Sequence, residues 1–346
     1  MNSEWSCPTP LKSDSIRMAH GGGGRLMRDL IEKYFLSAFE NPLLNHRHDS
    51  TVIPSGSFPL AFTTDSYVVH PLFFPGGDIG SLAINGTVND LAMSASQPLY
   101  LSCAFIIEEG LPFSTLERVL QSMKQAAHQT GITIITGDTK VVDKGKGDLL
   151  FINTSGIGQV LQSPPPDPSE VHPGDAIIVS GDLGRHGIAV LSVREGLQFQ
   201  TSIQSDCAPL ASAILDLIHA AIPLHCLRDL TRGGLAAALN EIALDSHTTC
   251  LIEEHAIPIE DEVQGACELL GLDPLYVANE GRFVAFVPPS KVIPTLQVLH
   301  ASDYSQAACI GYVTEKSSPG KVLMKNTLGV IRMLDSLSGE QLPRIC

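Results

Sequence analysis

Four aspartates stand at points where predicted strands end or loops begin. They are Asp65 after two threonines, Asp78 in Gly-Gly-Asp-Ile-Gly, Asp90 in Val-Asn-Asp-Leu and Asp138 in Thr-Gly-Asp-Thr-Lys. Carboxylates that share a cleft repel one another, and a hard divalent cation such as Mg²⁺ is the usual reason for gathering them. Each aspartate alone could be a turn or capping residue. The set, with glycines close to three of its members, indicates a metal site.

A run of glycines, Gly21, Gly22, Gly23 and Gly24, precedes a segment of helical periodicity over residues 26–39. Free backbone amides just before a helix N-terminus can bind phosphate, although such a run can also be a flexible hinge. The pattern is neither a P-loop nor a dinucleotide-binding motif. Lys140 lies two residues beyond Asp138, so on a strand both side chains would point to one face and toward the phosphates.

The second half of the chain has polar, glycine-flanked loops at residues 180–187, 228–234 and 278–282. Asp182 stands in the first loop, and Asp229 in the second could simply cap a helix that begins near residue 235. Glu280 stands between apolar stretches, so partial burial would raise its pKa and suit it to proton transfer. A surface turn is the alternative for Glu280. His46 and His48 form an isolated pair that we interpret as loop.

The chain ends in Cys346, one of eight cysteines that show no CxxC spacing. This scatter argues against a zinc site or a secreted disulfide scaffold. A terminal thiol could carry a covalently bound group into an active site, because residues 336–346 would reach about 35 Å if fully extended. A frayed end is the alternative. A prenylation signal is excluded, since its cysteine is fourth from the end.

Composition limits the class of protein. The net charge of −15 disfavours nucleic acid as a partner, so a phosphate ligand needs local groups or a metal. The chain has no signal-peptide pattern and no apolar run long enough for a membrane span, which predicts a cytoplasmic protein without a membrane partner. Its 346 residues, 44% of them hydrophobic, predict about two globular domains.

Two α+β domains are predicted around a proline-rich linker. The predicted division is an N-terminal segment with the glycine loop (1–40), a first domain (41–162), the linker (163–171), a second domain (172–335) and a mobile tail (336–346). Strands are predicted over residues 61–69, 99–107, 132–136, 149–160, 176–180 and 283–287. Helices are predicted over residues 26–39, 114–131, 187–194, 208–221, 235–243 and 292–301. The order lacks strict βαβ alternation, which favours α+β layers.

Taken together, these motifs resemble one family over essentially the whole chain. The residues concerned are the glycine loop, Thr64-Asp-Ser66, Pro75-Gly-Gly-Asp-Ile-Gly80, Gly86-Thr-Val-Asn-Asp-Leu-Ala92, Thr136-Gly-Asp-Thr-Lys140, Asp229-Leu-Thr-Arg-Gly-Gly234, Ala278-Asn-Glu-Gly281 and Pro343-Arg-Ile-Cys346. They look like the HypE family of hydrogenase maturation factors, the carbamoyl dehydratases. The interior motifs are shared more loosely with the aminoimidazole ribonucleotide synthetase-like superfamily. The terminal cysteine is the specific part.

The resemblance implies a set of residue roles. The fold would be the two-domain aminoimidazole ribonucleotide synthetase-like fold with a flexible C-terminal tail. Two chains would pair their first-domain sheets into a homodimer, with ATP near that interface. The implied Mg²⁺ ligands are Asp65, Asp90 and Asp138. The glycine loop would cover the phosphates, and Thr139 and Lys140 would contact ATP. Lys140, Glu280 and Cys346 would be catalytic. The resemblance leaves open whether Asp78 and Asp182 contact the metal directly.

The implied reaction is ATP-dependent dehydration of a carboxamide on the Cys346 sulfur, which leaves a thiocyanate for the cyanide ligand of NiFe hydrogenase. A carbamoyltransferase, HypF in this family, would load the thiol, and the HypC–HypD scaffold would receive the cyano group. The rival hypothesis is a superfamily member that acts on a free substrate, a small-molecule kinase or selenophosphate synthetase. Selenophosphate synthetases place a reactive cysteine near the glycine loop, whereas Cys7 lies well upstream of it.

Overall fold

Two β-sheets and their covering helices form the described part of the chain. The structure, a computed structural model, describes residues 24–36, 48–56, 58–197 and 203–336. The strands are β1 Thr51–Ile53, β2 Leu60–Tyr67, β3 Phe73–Phe74, β4 Gly77–Asp78, β5 Ser96–Glu108, β6 Thr133–Val142, β7 Leu150–Val160, β8 Ala176–Val179, β9 Cys226–Asp229, β10 Thr248–Glu253, β11 Phe283–Val287, β12 Ala308–Lys316, β13 Lys321–Lys325 and β14 Ile331–Met333. The helices are α1 Arg25–Leu30, α2 Ile79–Met93, α3 Phe113–Thr130, α4 Arg185–Arg194, α5 Ala211–His219, α6 Gly234–Ser246, α7 Asp261–Leu270 and α8 Val292–Ala301.

The first sheet has the order β1-β2-β7-β5-β6, with β5 and β6 parallel and the other neighbours antiparallel. Strand β7 alternates regularly between buried and partly exposed residues, which is the pattern of a sheet with one covered face. Helices α2 and α3 cover that face. The opposite face keeps large apolar side chains exposed, among them Phe62, Tyr100 and Ile106.

The second sheet has the order β14-β13-β10-β12-β8-β11-β9, in which only β10 and β13 are parallel. Every residue of β8 and β11 is buried, because helices lie on both faces of the sheet. Helix α6 packs on one face and helices α5 and α8 on the other. The strands of the first sheet fall within residues 51–160 and those of the second within 176–333, in keeping with α+β layers. The precise domain limits stay predictions.

Helix α2 lies between the two domains. It contacts β2, β5 and β7 of the first sheet on one side and α5 and β9 of the second domain on the other. Thirteen of its 15 residues are buried, so it has no polar face and no amphipathic period. Sequence periodicity therefore missed this helix. The pattern predicts a loop or strand end at Asp90, and that prediction is wrong because Asp90 lies in the last turn of α2.

Other elements follow the predicted pattern with shifted ends. The amphipathic helix predicted over residues 114–131 is observed as Phe113–Thr130, ended by Gly131 in the left-handed region with φ 70°. The segment predicted as a helix over residues 26–39 is α-helical over Arg25–Leu30 and continues as a π-helical stretch over Ile31–Leu36. Within the described ranges, no helix has the length and apolar character needed to cross a bilayer.

Candidate active site

Two of the predicted metal ligands lie close together between the first sheet and helix α2. Asp65 is on strand β2, and Asp90 is on α2. The Tyr67 hydroxyl donates to Asp65 Oδ2 at 3.0 Å, and the Thr63 hydroxyl donates to Asp90 Oδ2 at 2.8 Å. Residues 63, 65 and 67 alternate along the strand onto the face that α2 covers. This alternation directs both hydroxyls and the Asp65 carboxylate toward the helix.

Gly86 makes room for one of these contacts. A Cβ at this position would overlap the Tyr67 hydroxyl oxygen, so any side chain there would displace the tyrosine. The same hydroxyl lies 3.2 Å from Thr87 Oγ1. The glycine in Gly86-Thr-Val-Asn-Asp thus allows α2 to approach the ring that holds Asp65.

The second domain adds carboxylates to the same site. Asp229 ends strand β9, and Glu280 lies just before β11; only 7% and 4% of these residues are exposed. A further carboxylate, that of Asp49, comes from the segment before β1 of the first sheet, and its Oδ1 lies 3.1 Å from Arg228 Nη1. Asp229 does not cap helix α6, whose N-cap is Gly233 without a side-chain bond. Its carboxylate instead accepts a 3.4 Å hydrogen bond from the Thr231 hydroxyl.

The carboxylates interact strongly with one another. Burial, the largest cause, raises the pKa of Asp90, Asp229 and Glu280 well above their ordinary values and also raises the pKa of Asp65. Repulsion adds to this effect, because Asp65 and Asp229 each raise the pKa of Asp90, and both also raise that of Glu280. The Arg232 cation opposes it at Asp65 and Glu280. Protons or cations must therefore balance this acidic cluster.

Two buried oxygens of the cluster lack a hydrogen-bond partner among the described residues. They are Asp49 Oδ2 and Glu280 Oε1. An unpaired buried acceptor costs about 1–3 kcal/mol, so such atoms indicate a missing ligand. Several converging carboxylate oxygens, with no cysteine or histidine ligand required, fit a hard cation such as Mg²⁺.

Asn89 ties the acidic cluster together across the two domains. Its amide donates to the carbonyls of Ala208 at 3.1 Å and Glu280 at 3.3 Å. Its side-chain oxygen accepts from the backbone N–H of Leu210 at 2.7 Å. Asn89 precedes Asp90 on α2, so these bonds set the position of the Glu280 backbone relative to the Asp90 carboxylate.

Asp138, Thr139 and Lys140 lie apart from this cluster within the single chain. Across the sheet Asp65 pairs with Thr154, Thr154 with Cys103 and Cys103 with Gly137. Three strand spacings are about 14 Å, and Asp138, one residue beyond Gly137, points to the opposite face of the sheet.

The Asp138 and Lys140 side chains are 63% and 70% exposed and form an ion pair at 2.9 Å. The Lys140 hydrogen bond, the largest cause, lowers the pKa of Asp138. Thr139 lies on the covered face, opposite Phe105 of β5. Of the three predicted metal ligands, the single chain thus brings together Asp65 and Asp90, and the role of Asp138 stays a prediction.

The end of the glycine loop and the start of the tail meet at one cavity. Gly24, Glu241 and Ser336 are among the residues that line this cavity of about 220 Å³. Helix α1 is held there by an ion pair between Arg28 and Asp245 at 3.1 Å. Gly21, Gly22, Gly23 and Cys346 lie outside the described residues.

One arginine links this cavity to the acidic cluster. Arg228 Nη1 lies 3.1 Å from Glu241 Oε2, at the cavity wall, and 3.1 Å from Asp49 Oδ1. Gly24 and Ser336, which adjoin the predicted glycine loop and tail, therefore lie on the side of helix α6.

Asp78 and Asp182 have structural contacts. Asp78 caps helix α2, with its Oδ1 accepting from the backbone N–H groups of Gly80 at 2.7 Å and Ser81 at 3.0 Å. Asp182 forms ion pairs of 2.6 Å with both Arg185 and Arg282. Neither carboxylate needs a metal to balance it.

Asp49 and Asp229 belong to the cluster although sequence pattern did not assign them to it. Asp49 follows a polar histidine-containing stretch without glycine or periodicity, so nothing marked it. Asp229 stands in a marked loop, and only the burial of the β9 end distinguishes a site residue from a helix cap.

This fold, with an acidic cluster between its two domains, defines the class of protein. The sequence matches the family AIR synthase related protein, N-terminal domain, over residues 47–160 and the corresponding C-terminal domain over residues 172–323. Within this class the chain belongs to the HypE family of carbamoyl dehydratases, which are enzymes. It is 47% identical over 338 residues to carbamoyl dehydratase HypE of Rhodobacter capsulatus, covering 97% of this chain and 99% of that protein. It is 44% identical to HypE of Escherichia coli, covering 96% of this chain and 100% of that protein.

Solved structures agree with this assignment. A HypE–HypF complex aligns with a TM-score of 0.84 and 42% identity, covering 89% of this chain and 99% of that one. A HypE structure in complex with ATP aligns with a TM-score of 0.81 and 47% identity, covering 94% and 98%. Thiamine monophosphate kinase from Aquifex aeolicus aligns with a TM-score of 0.65 at 18% identity, covering 87% and 97%, which shows a shared fold alone. The predicted family and α+β fold are confirmed.

Proposed function

We propose that this enzyme uses ATP to dehydrate a carboxamide carried on the sulfur of its own Cys346, leaving a thiocyanate that supplies cyanide for NiFe-hydrogenase assembly. The observation that carries the proposal is the buried acidic cluster between the domains, which includes Glu280 with an unpaired oxygen. Membership of the HypE family supports the reaction type.

ATP and Mg²⁺ are the proposed cosubstrate and cofactor. A related HypE structure is in complex with ATP, at 47% identity to this chain. The carboxylates of Asp65, Asp90 and Asp229 would hold Mg²⁺, and Asp49 Oδ2 would accept a hydrogen bond from one of its ligand waters. The bound ion would supply positive charge for the phosphates. It would also relieve the repulsion that raises the pKa of these carboxylates.

A homodimer would complete the site. The uncovered face of the first sheet exposes 40% of Phe62, 47% of Tyr100 and 45% of Ile106, a pattern that favours burial against a second copy. Asp138 and Lys140 lie on this same face, so a second copy would take them into the interface. In the homodimer, Asp138 of one chain would reach the metal site of the other, and Thr139 and Lys140 would contact ATP at this shared site.

The proposed reaction transfers the amide oxygen to phosphate. The carboxamide oxygen attacks the γ-phosphorus of ATP and ADP leaves, while Lys140 and glycine-loop amides stabilise the charge on the phosphoryl group. One N–H proton leaves as the phosphate ester forms. Loss of the second N–H proton and cleavage of the C–O bond to phosphate then give S–C≡N and inorganic phosphate. Glu280 accepts an N–H proton, since burial raises its pKa and makes its carboxylate a stronger base.

The position of Ser336 supports a tethered substrate. Ser336, where the tail begins, lines the cavity that Arg228 connects to the acidic cluster. Residues 336–346 would reach about 35 Å if fully extended, which would allow Cys346 to enter the site. Tethering raises the effective concentration of the thiocarbamate, so that no separate small-molecule pocket is needed.

The proposed partners act before and after this step. HypF would load the carbamoyl group, consistent with the HypE–HypF complex at 42% identity to this chain. The HypC–HypD scaffold would accept the cyano group from Cys346.

Mass spectrometry tests the proposal. After carbamoylation by the partner enzyme, Mg-ATP should convert the Cys346 carbamoyl adduct to a species lighter by one water. Lys140→Ala and Glu280→Gln should be carbamoylated and then stall, and Cys346→Ala should bind nucleotide without being loaded. A carbamoyl mass that persists with Mg-ATP would refute the dehydratase proposal, and carbamoylation at another cysteine would refute the carrier role.

A further inference from the structure

Two histidines and an aspartate meet where the linker enters the second domain. His172, Asp175 and His225 each offer one ligand atom, and these atoms lie within 4.8 Å of one another. The rings of His172 and His225 stand edge to face with centroids 5.4 Å apart. His225 precedes β9 and Asp229 ends that strand, so the group lies at the opposite end of β9 from the acidic cluster.

The backbone holds two of these residues firmly. A turn joins His172 to Asp175, because the Asp175 N–H donates to the His172 carbonyl at 3.1 Å and the His172 N–H donates to Asp175 Oδ2 at 2.8 Å. Gly174 allows this turn with φ 98°. His225 lies immediately before β9, where its N–H donates to the Phe286 carbonyl at 2.9 Å.

The charge on Asp175 lacks a strong counterion. The carboxylate is 4% exposed, and His225 Nδ1 lies 2.8 Å from its Oδ2. Among the described residues no lysine or arginine pairs with Asp175. The neighbouring Lys316 ammonium donates instead to the carbonyls of Val171 and Ser246. A buried carboxylate so placed favours a bound cation.

The distances suit a transition-metal ion. Zinc binds imidazole nitrogen and carboxylate oxygen at about 2.0–2.2 Å, which separates two ligands of a tetrahedral ion by roughly 3.4 Å. Asp175 Oδ2 and His225 Nδ1 are 2.8 Å apart, a hydrogen-bond distance that would open by about 0.6 Å around an ion. His172 is exposed, so its ring can rotate to close the remaining gap. Two imidazoles and one carboxylate are a ligand set for zinc-like ions and not for Mg²⁺.

We propose that His172, Asp175 and His225 form a site for a divalent transition-metal ion, with Zn²⁺ as the probe. The ion joins the end of the linker to the start of β9, the strand that ends at Asp229 of the acidic cluster. It is separate from the proposed Mg²⁺ site and does not depend on the dehydratase proposal.

Equilibrium dialysis of the full chain against Zn²⁺, with millimolar Mg²⁺ to occupy the acidic cluster, tests this site. Elemental analysis should find one additional zinc ion per chain in the wild type compared with His172→Ala or His225→Ala. In both variants the affinity of the site for Zn²⁺ should fall roughly tenfold or more. The matched control is His219→Ala, an exposed histidine outside the group, which should bind as the wild type does. Because His172 is exposed, its variant keeps the fold, and circular dichroism checks this.

Cobalt provides a second readout. The Co²⁺-loaded wild type should show visible ligand-field absorption that both site variants lose and His219→Ala retains. Equal zinc content in the wild type and His172→Ala, with unchanged cobalt spectra, would overturn the proposal. In that case the three residues form only a hydrogen-bonded turn.

Discussion

Replacing Asn89 with alanine should loosen the junction of the two domains. Three hydrogen bonds are lost, and both the Asn89 side chain and Leu210 are fully or almost fully buried. Leaving the Leu210 N–H without an acceptor costs about 1–3 kcal/mol of the free energy of unfolding. Removing the donor to the Ala208 carbonyl costs about 1 kcal/mol. The Glu280 carbonyl still accepts a hydrogen bond from the Ala208 N–H at 3.4 Å. The free energy of unfolding should therefore fall by roughly 2–4 kcal/mol, a large part of a typical total of about 5–15 kcal/mol.

Urea unfolding followed by far-ultraviolet circular dichroism measures this loss. The single tryptophan of the sequence, Trp5, lies outside the described residues, so fluorescence is a poorer probe of the junction. Gln264→Ala is the control, because Gln264 also donates a side-chain hydrogen bond, to Glu268 at 2.8 Å, but from an exposed position in the second domain. That change should cost about 0.5 kcal/mol or less.

The same substitution should slow dehydration, since Asn89 positions the backbone of Glu280. Carbamoylation of the terminal cysteine should continue at the wild-type rate, because it requires the tail and not the junction. If Asn89→Ala lowers the free energy of unfolding no more than Gln264→Ala does, the bridging role of Asn89 is wrong.

The remaining predictions concern the acidic cluster. Because the folded-state pKa of Glu280 is raised, its contribution to stability is present below pH 4 and is lost as the pH rises through the folded pKa. Glu280→Gln should therefore raise the Tm at pH 8 and leave it nearly unchanged at pH 4. An equal Tm shift at both pH values would contradict this prediction. Millimolar Mg²⁺ should raise the Tm of the wild type at pH 8 more than that of Asp90→Asn, measured by scanning calorimetry. An equal rise in Tm for both proteins would exclude Asp90 as a ligand. Gly86→Ala should displace Tyr67 and weaken Mg²⁺ binding, as measured by titration calorimetry. Gly265→Ala is the control and should leave Mg²⁺ binding unchanged, because a Cβ there has no neighbouring atom within 4 Å. Unchanged binding in both variants would show that Tyr67 does not position Asp65.

Local pattern was sufficient for many elements of the fold. Alternation along β7 and the amphipathic period of α3 survive in the structure, because each has one covered and one open face. Helix α2 could not be predicted in this way, since both of its sides are buried and its sequence carries no period. The position of Asp90 in that helix was lost for the same reason.

The sequence by itself determined which residues could do the chemistry. The glycine loop, Asp65, Asp90, Lys140 and Glu280 all stand in short motifs that combine glycine with charged or hydroxyl side chains, as phosphate and metal binding require. The sequence also determined the α+β class, because hydrophobic period is a local property of the chain.

Only the tertiary structure decided which of these residues meet. The two domains bring Asp49, Asp229 and Glu280 to Asp65, although 215 positions separate Asp65 from Glu280 in the chain. Strand alternation sends Asp138 to the other face of the same sheet, a matter of register that spacing from Asp65 cannot reveal. Whether carboxylates form one site depends on contacts distant in sequence and on burial, and both arise only when the domains pack around α2.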